Sequence, residues 1–146
     1  MPPASPAHRI LVVCLGNHCR SPLAAAILAT RGGDAVVVRS AALHAGRLVD
    51  QPAHPLMIEA ATALGYDLTD HRGVQLTAAM LHWADTILAM DQSILTRLRE
   101  QAHPDDQLKL RLYLPDADVP DPWEKTAADF TACAQLIDQG ADQHLA

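Results

Sequence analysis

Aromatic residues are scarce in this chain: two Trp, two Tyr and one Phe among 146 residues. So few rings leave none to spare for stacking on successive bases, and a formal net charge of −6 gives no attraction to nucleic acid or to an anionic membrane. Long apolar runs are missing too; none approaches the roughly 18 residues that a membrane span requires. Cysteine is limited to three residues, an odd number that does not suit a disulfide scaffold. It points instead to thiol chemistry in the reducing cytoplasm. Met1 to His8 hold three prolines and no apolar block, which predicts a short disordered tail and not a signal peptide, and leaves residues 9–146 as a single domain. With 49% hydrophobic residues, Leu, Ile, Val, Met and Ala have to fill the core, and a chain this long can do so without metal or disulfide support.

The densest information lies between Arg9 and Arg31. The apolar run Ile10 to Val13 predicts a strand; Cys14-Leu15-Gly16-Asn17-His18-Cys19 reads as a tight loop; the small-residue run Leu23 to Thr30 reads as a helix, with Ser21 as N-cap and Pro22 at its first position. The first turn of a helix leaves backbone N–H groups unpaired and carries partial positive charge. Gly16 and Asn17, the residues most tolerant of positive φ, allow the loop to curl until its N–H groups converge on an anion. Arg20 adds a planar fork that matches two oxygens of a phosphate. The same field favours the thiolate of Cys14, which makes it a nucleophile and not a buried small hydrophobe.

Farther along, Ala35 to Arg39 predicts a second strand, with Val36 to Val38 buried on both faces. Ser40 to Ala53 forms a loop, and Pro55 to Leu64, closed by Gly65, a helix. A short helix from near Thr77, a third strand within Asp85 to Met90 and a helix capped by Asp91 follow. Leu108 to Leu114 alternates as a fourth strand, and a last helix starts near Thr126 and buries Phe130, Ala134 and Ile137. Strand and helix alternate throughout, which predicts a doubly wound α/β fold: four parallel strands, helices on both faces, and ligand at the carboxyl ends of the strands. Cys14 ends a strand there. Cys14 and Cys19 have the look of half a zinc site, but no second pair lies at ligand spacing, so no metal is expected. Asp116, Asp118 and Asp121 all stand in a late loop rich in Pro and Asp, where any one can act as an acid.

The run Cys14 to Pro22 resembles the phosphate loop of the low-molecular-weight protein tyrosine phosphatases, whose signature is Cys, five residues, Arg, then Ser or Thr. The likeness continues at Ser40-Ala41-Ala42, at His71 to Leu76, at Asp85 to Asp91 and at Asp121-Pro122-Trp123. It implies a strand order of 2-1-3-4. It also implies hydrolysis of phosphotyrosine through a phosphocysteine, with Cys14 as nucleophile, Arg20 as phosphate clamp and Asp121, from the family's Asp-Pro motif, as general acid.

By the same resemblance Leu15, Gly16, Asn17, His18, Cys19, Ser21 and Trp123 bind the substrate, the Leu48-Val49 loop helps line the ring slot, and Asn17, Ser40 and His71 support the loop from behind. The related arginine phosphatases usually carry Thr where this chain has Leu15, which favours a phosphotyrosine ring. Cys19 either closes a reversible disulfide on the nucleophile, as in many members, or packs against the loop. No cofactor is implied, and phosphate and vanadate are expected inhibitors. The segment Val119 to Thr126 looks most like the bacterial branch that dephosphorylates tyrosine autokinases of exopolysaccharide or capsule export. Two other readings stay in view: an arsenate reductase of the same fold, whose redox branch carries two further cysteines near Trp83 to Asp91, and a phosphotyrosine-binding module that does not turn over.

Overall fold

The computed structural model describes residues 6–145. Residues 1–5 of the expected tail lie outside the described part, and the remainder of that tail is not all irregular, because His8 already opens the first strand. His8 pairs with Val36, and its ring Nε2 lies 2.8 Å from the Thr86 hydroxyl.

Four strands, β1 (His8–Cys14), β2 (Val36–Ala42), β3 (Thr86–Ala89) and β4 (Leu110–Leu112), form one parallel sheet in the order β2-β1-β3-β4. Five α-helices connect and flank them: α1 (Arg20–Gly32), α2 (Pro55–Ala63), α3 (Ala78–Trp83), α4 (Gln92–Gln101) and α5 (Ala127–Gln139). In register, Ile10 lies between Val38 and Thr86 and Val13 between Ala41 and Ala89, so β1 and β3 are the central strands. Ile10 to Val13 are fully buried, as a strand covered on both faces must be. The chain moves outward from β1 to β2 and, in the opposite direction, from β3 to β4. Right-handed crossovers therefore place α1 and α4 on opposite faces. The crevice of such a sheet opens where the winding reverses, beyond the carboxyl ends of β1 and β3, which here are Cys14 and Ala89.

Several helix ends follow their sequence signals. Thr77 caps α3, Asp91 accepts from Ile94 N–H at 2.9 Å at the start of α4, and Thr126 and Asp129 form a reciprocal capping box on α5. Phe130, Ala134 and Ile137 are buried between α5 and the rest of the core.

Three expectations are corrected. Val36 to Val38 are not buried on both faces: β2 is an edge strand, and Val37 remains 46% exposed. The fourth strand covers only Leu110 to Leu112, because Pro104 opens a 3-10 segment that runs to Lys109 and leaves Leu108 in solvent. Ser21 is not the N-cap of α1. Cys19 holds that position, and the Ser21 hydroxyl is engaged elsewhere.

Candidate active site

Beyond Cys14 the chain turns into the loop 15–19 and re-enters regular structure at Arg20. The loop's carbonyl groups are fastened outward. Cys14 O accepts from Leu43 N–H at 2.9 Å, Leu15 O from His44 N–H at 2.9 Å and His18 O from His54 N–H at 3.0 Å, while the His71 ring Nε2 lies 2.8 Å from Asn17 O. In a trans peptide the next N–H points away from its carbonyl, and no peptide bond among the described residues is cis. The N–H groups of Leu15, Gly16, His18 and Cys19 are thereby turned inward, and they donate to no group among the described residues. The N-terminus of α1 faces the same hollow, without a capping side chain and without an acidic residue in its first turn to neutralise it.

Asn17 holds this curl. Its φ is +54°, it is almost completely buried, and its amide makes three bonds: Nδ2 donates to Ser21 Oγ at 2.8 Å and to Ser40 Oγ at 2.9 Å, and Oδ1 accepts from Val74 N–H at 2.9 Å. Asn17 is the residue of the loop with a left-handed backbone; Gly16 has no positive φ, contrary to its expected role. Gly16 leaves room for Leu48, since a Cβ there would stand 2.9 Å from Leu48 Cδ1 and the end of that side chain would have to shift. Ser21 Oγ, which accepts from Asn17 Nδ2, lies 2.9 Å from Cys14 Sγ and can direct its own hydrogen to the sulfur.

Arg20 is buried, and its Nη1 donates to Asp91 Oδ2 and to Val119 O, each at 2.8 Å. Burial works against the guanidinium charge, but Cys14, Asp91 and Asp121 outweigh it and hold the group more firmly protonated than usual. The other face of the guanidinium approaches Asp121, with Nη2 to Oδ2 at 3.7 Å.

Of the three loop aspartates, Asp121 lines the cleft. Asp118 instead accepts from Gln92 N–H at 2.8 Å, and Asp116 is exposed and does not line the cleft. Asp121 Oδ1 also accepts from Trp123 N–H at 3.1 Å, which ties the acid to the indole at the mouth. The cleft has a volume of about 150 Å³. Cys14, Gly16, Cys19 and Arg20 contribute to it from the loop; Leu15, His18, His44, Leu48 and Trp123 surround them. Val49 does not reach the cleft, and Asn17, Ser21, Ser40 and His71 stand behind it.

Two participants are missing from the sequence reading: His44 on the cleft wall, and Asp91 as the partner of Arg20. Asp91 carried the signal of a helix cap, and nothing in its spacing separates that role from a second one. Cys19 and Cys133 are buried free thiols. Burial, with Asp121 next, pushes the Cys19 thiol far up, and burial pushes Cys133 up to about 12. Burial and the neighbouring His54 push His18 below its ordinary range, so its ring is neutral at pH 7.

The sequence matches the low molecular weight phosphotyrosine protein phosphatases over residues 9–146. The chain belongs to this family. Among curated relatives, the probable low molecular weight protein-tyrosine-phosphatase EpsP of Ralstonia nicotianae is 35% identical over 91% of this chain and 90% of its own. Among solved structures, Vibrio vulnificus Wzb in complex with benzylphosphonate superposes with a TM-score of 0.89 at 33% identity, covering 95% of this chain and 97% of that one. The YwlE arginine phosphatase of Geobacillus stearothermophilus gives a TM-score of 0.87 at 28% identity, over 94% and 90%. The protein is thus a phosphatase by family, with the four-stranded sheet of its relatives. Among the described residues no helix is long and apolar enough to cross a membrane.

Proposed function

We propose that this phosphatase hydrolyses phosphotyrosine in two steps, with Cys14 as nucleophile and Asp121 as general acid and base. The observation that carries this reading is the convergence on Cys14 of four inward amides, a buried guanidinium and, at the rim, a single carboxyl group. The Cys14 thiolate attacks phosphorus and the P–O(aryl) bond breaks, while the amides and Arg20 hold the equatorial oxygens through the transition state. The Asp121 carboxyl gives its proton to the departing phenolate oxygen. The phosphocysteine is then attacked by water, which loses a proton to the Asp121 carboxylate, and phosphate leaves as the thiolate is restored. Ser21 O–H steadies that thiolate in both steps.

Leu15, 44% exposed at the mouth, and Trp123, 54% exposed, supply apolar walls suited to an aromatic ring. For a partner, the likeness of the Val119 to Thr126 segment supports a bacterial tyrosine autokinase of exopolysaccharide export, dephosphorylated in the cytoplasm. Turnover of an aryl phosphate tests the chemistry: Cys14→Ser should retain under a tenth of the activity, and Asp121→Ala should lose about 10²- to 10⁴-fold in kcat. A tenth or more of the activity remaining in Cys14→Ser would end this reading. A pure phosphotyrosine binder would release no burst of phenol, and an arsenate reductase would instead couple arsenate to oxidation of a thioredoxin partner.

A further inference from the structure

Four of the ten Lys and Arg side chains outside the catalytic loop have an ion-pair or ring partner among the described residues. Arg9 pairs with Asp85, Arg31 with Asp138 and Asp142, Lys109 with Asp106, and Arg39 stacks on Trp83. Arg99 of α4 and Arg111 of β4 form no ion pair among the described residues, yet they line the same groove, about 510 Å³ in volume, on the β4 side of the sheet. Gln92, Gln143 and His144 join them, and among the described residues no acidic side chain lines it, in a chain whose net charge is −6. Leu95, Leu112 and Pro115 give it an apolar wall. Two unpaired guanidinium forks beside an apolar wall in a groove of this size match a small organic anion better than a flat protein partner.

The groove also touches the first part of the loop that carries Asp121. Pro115 begins that loop, and the backbone N–H of Gln92 holds it through Asp118 at 2.8 Å. Gln92 directly follows Asp91, the partner of Arg20. On the remaining side, Gln143 Nε2 donates to Tyr113 O at 3.2 Å, and His144 Nε2 lies 2.8 Å from the same oxygen, two residues before Pro115. We propose that this groove is a second, regulatory site for a small organic phosphate, whose occupancy acts on the catalytic acid through Gln92 and Pro115. In this arrangement the phosphate engages Arg99 and Arg111 and the body of the ligand lies along Leu95 and Leu112. Burial, and more weakly Arg111, lower the pKa of His144, and a bound anion would act against the part due to Arg111.

The proposal rests on the phosphatase reading only for its kinetic arm. The binding arm is an NMR titration of the whole chain with its catalytic cleft saturated by vanadate, using AMP and glucose 1-phosphate as separate probes so that nucleotide and sugar sources are distinguished. Saturable shifts are expected at Gln92, Arg99, Arg111 and His144, and they should vanish in the Arg99→Gln/Arg111→Gln double variant. In the kinetic arm the effective probe should change kcat for an aryl phosphate by about fivefold or more, the range of ordinary coupling between sites, whereas competition at the cleft would change KM alone. The double variant should keep its basal kcat and lose this response. No saturable shift with either probe, or shifts that persist in the double variant, would overturn the site; binding with an unaltered kcat would overturn its link to the acid. Loss of aryl phosphatase activity altogether would strike the catalytic reading and leave the binding result standing.

Discussion

Asp91 offers the most direct test of how the site is held. Its carboxylate does two jobs at once: Oδ2 accepts from Arg20 Nη1 at 2.8 Å, and Oδ1 caps α4 by accepting from Ile94 N–H at 2.9 Å. Asp91→Ala removes both. The Arg20 side chain is only 3% exposed, so breaking the pair leaves a buried charge with Val119 O and the more distant Asp121. Losing one partner of a buried pair costs about 3–5 kcal/mol; with Asp91 itself 20% exposed, about 2 is a fairer figure, to which the lost cap adds about 1. Asp91→Asn has a single oxygen and can serve the cap or the guanidinium, not both, so it should fall between wild type and Ala at roughly 1–2 kcal/mol. Urea unfolding at pH 7.5 reads these differences. Activity should fall as well, because an unanchored guanidinium turns toward Asp121 and no longer meets the phosphate in a fixed plane. A loss of about 1.4–2.8 kcal/mol in transition-state binding is about 10- to 100-fold in kcat/KM. If Asp91→Ala unfolds within about 0.5 kcal/mol of wild type and keeps its kcat/KM, the anchoring argument is wrong.

Two glycines should respond unequally to the same change. At Gly16 a new Cβ meets the movable end of Leu48, so Gly16→Ala should cost under about 1 kcal/mol of stability and show mainly as a raised KM; at Gly73 it would stand 2.0 Å from the Leu48 carbonyl oxygen, and Gly73→Ala should cost about 2–3 kcal/mol. Equal midpoints in urea for the two variants would contradict this. Acid should also weaken the fold before any carboxylate titrates. Burial lowers His18, His54, His71 and His144 below the ordinary 6.5, so the unfolded chain binds more protons in that window. Their contribution is fully present above about pH 6.5 and is lost as pH falls through the folded values. The urea midpoint should therefore be lower at pH 5.5 than at 7.5, and an equal or higher midpoint at 5.5 would refute the assignment.

The sequence by itself determined whatever neighbouring residues settle among themselves. The apolar run before Cys14 becomes a buried strand, Asn17 supplies the left-handed turn, and Thr77, Asp91 and Thr126 cap the helices they precede, because each depends on backbone preferences and bonds spanning a few residues. The tertiary structure alone decided which residues separated by many positions would meet. Whether a valine run is buried on both faces depends on which strand stands beside it, and β2 has a neighbour on one side only. Likewise Ser21 reads as a cap until the fold brings Cys14 and Asn17 to its hydroxyl. Asp91 could be recognised as a cap from its neighbours, but its partnership with Arg20 spans 71 positions. It exists because parallel pairing of β1 and β3 brings their carboxyl ends together at the crevice; no local spacing encodes that adjacency.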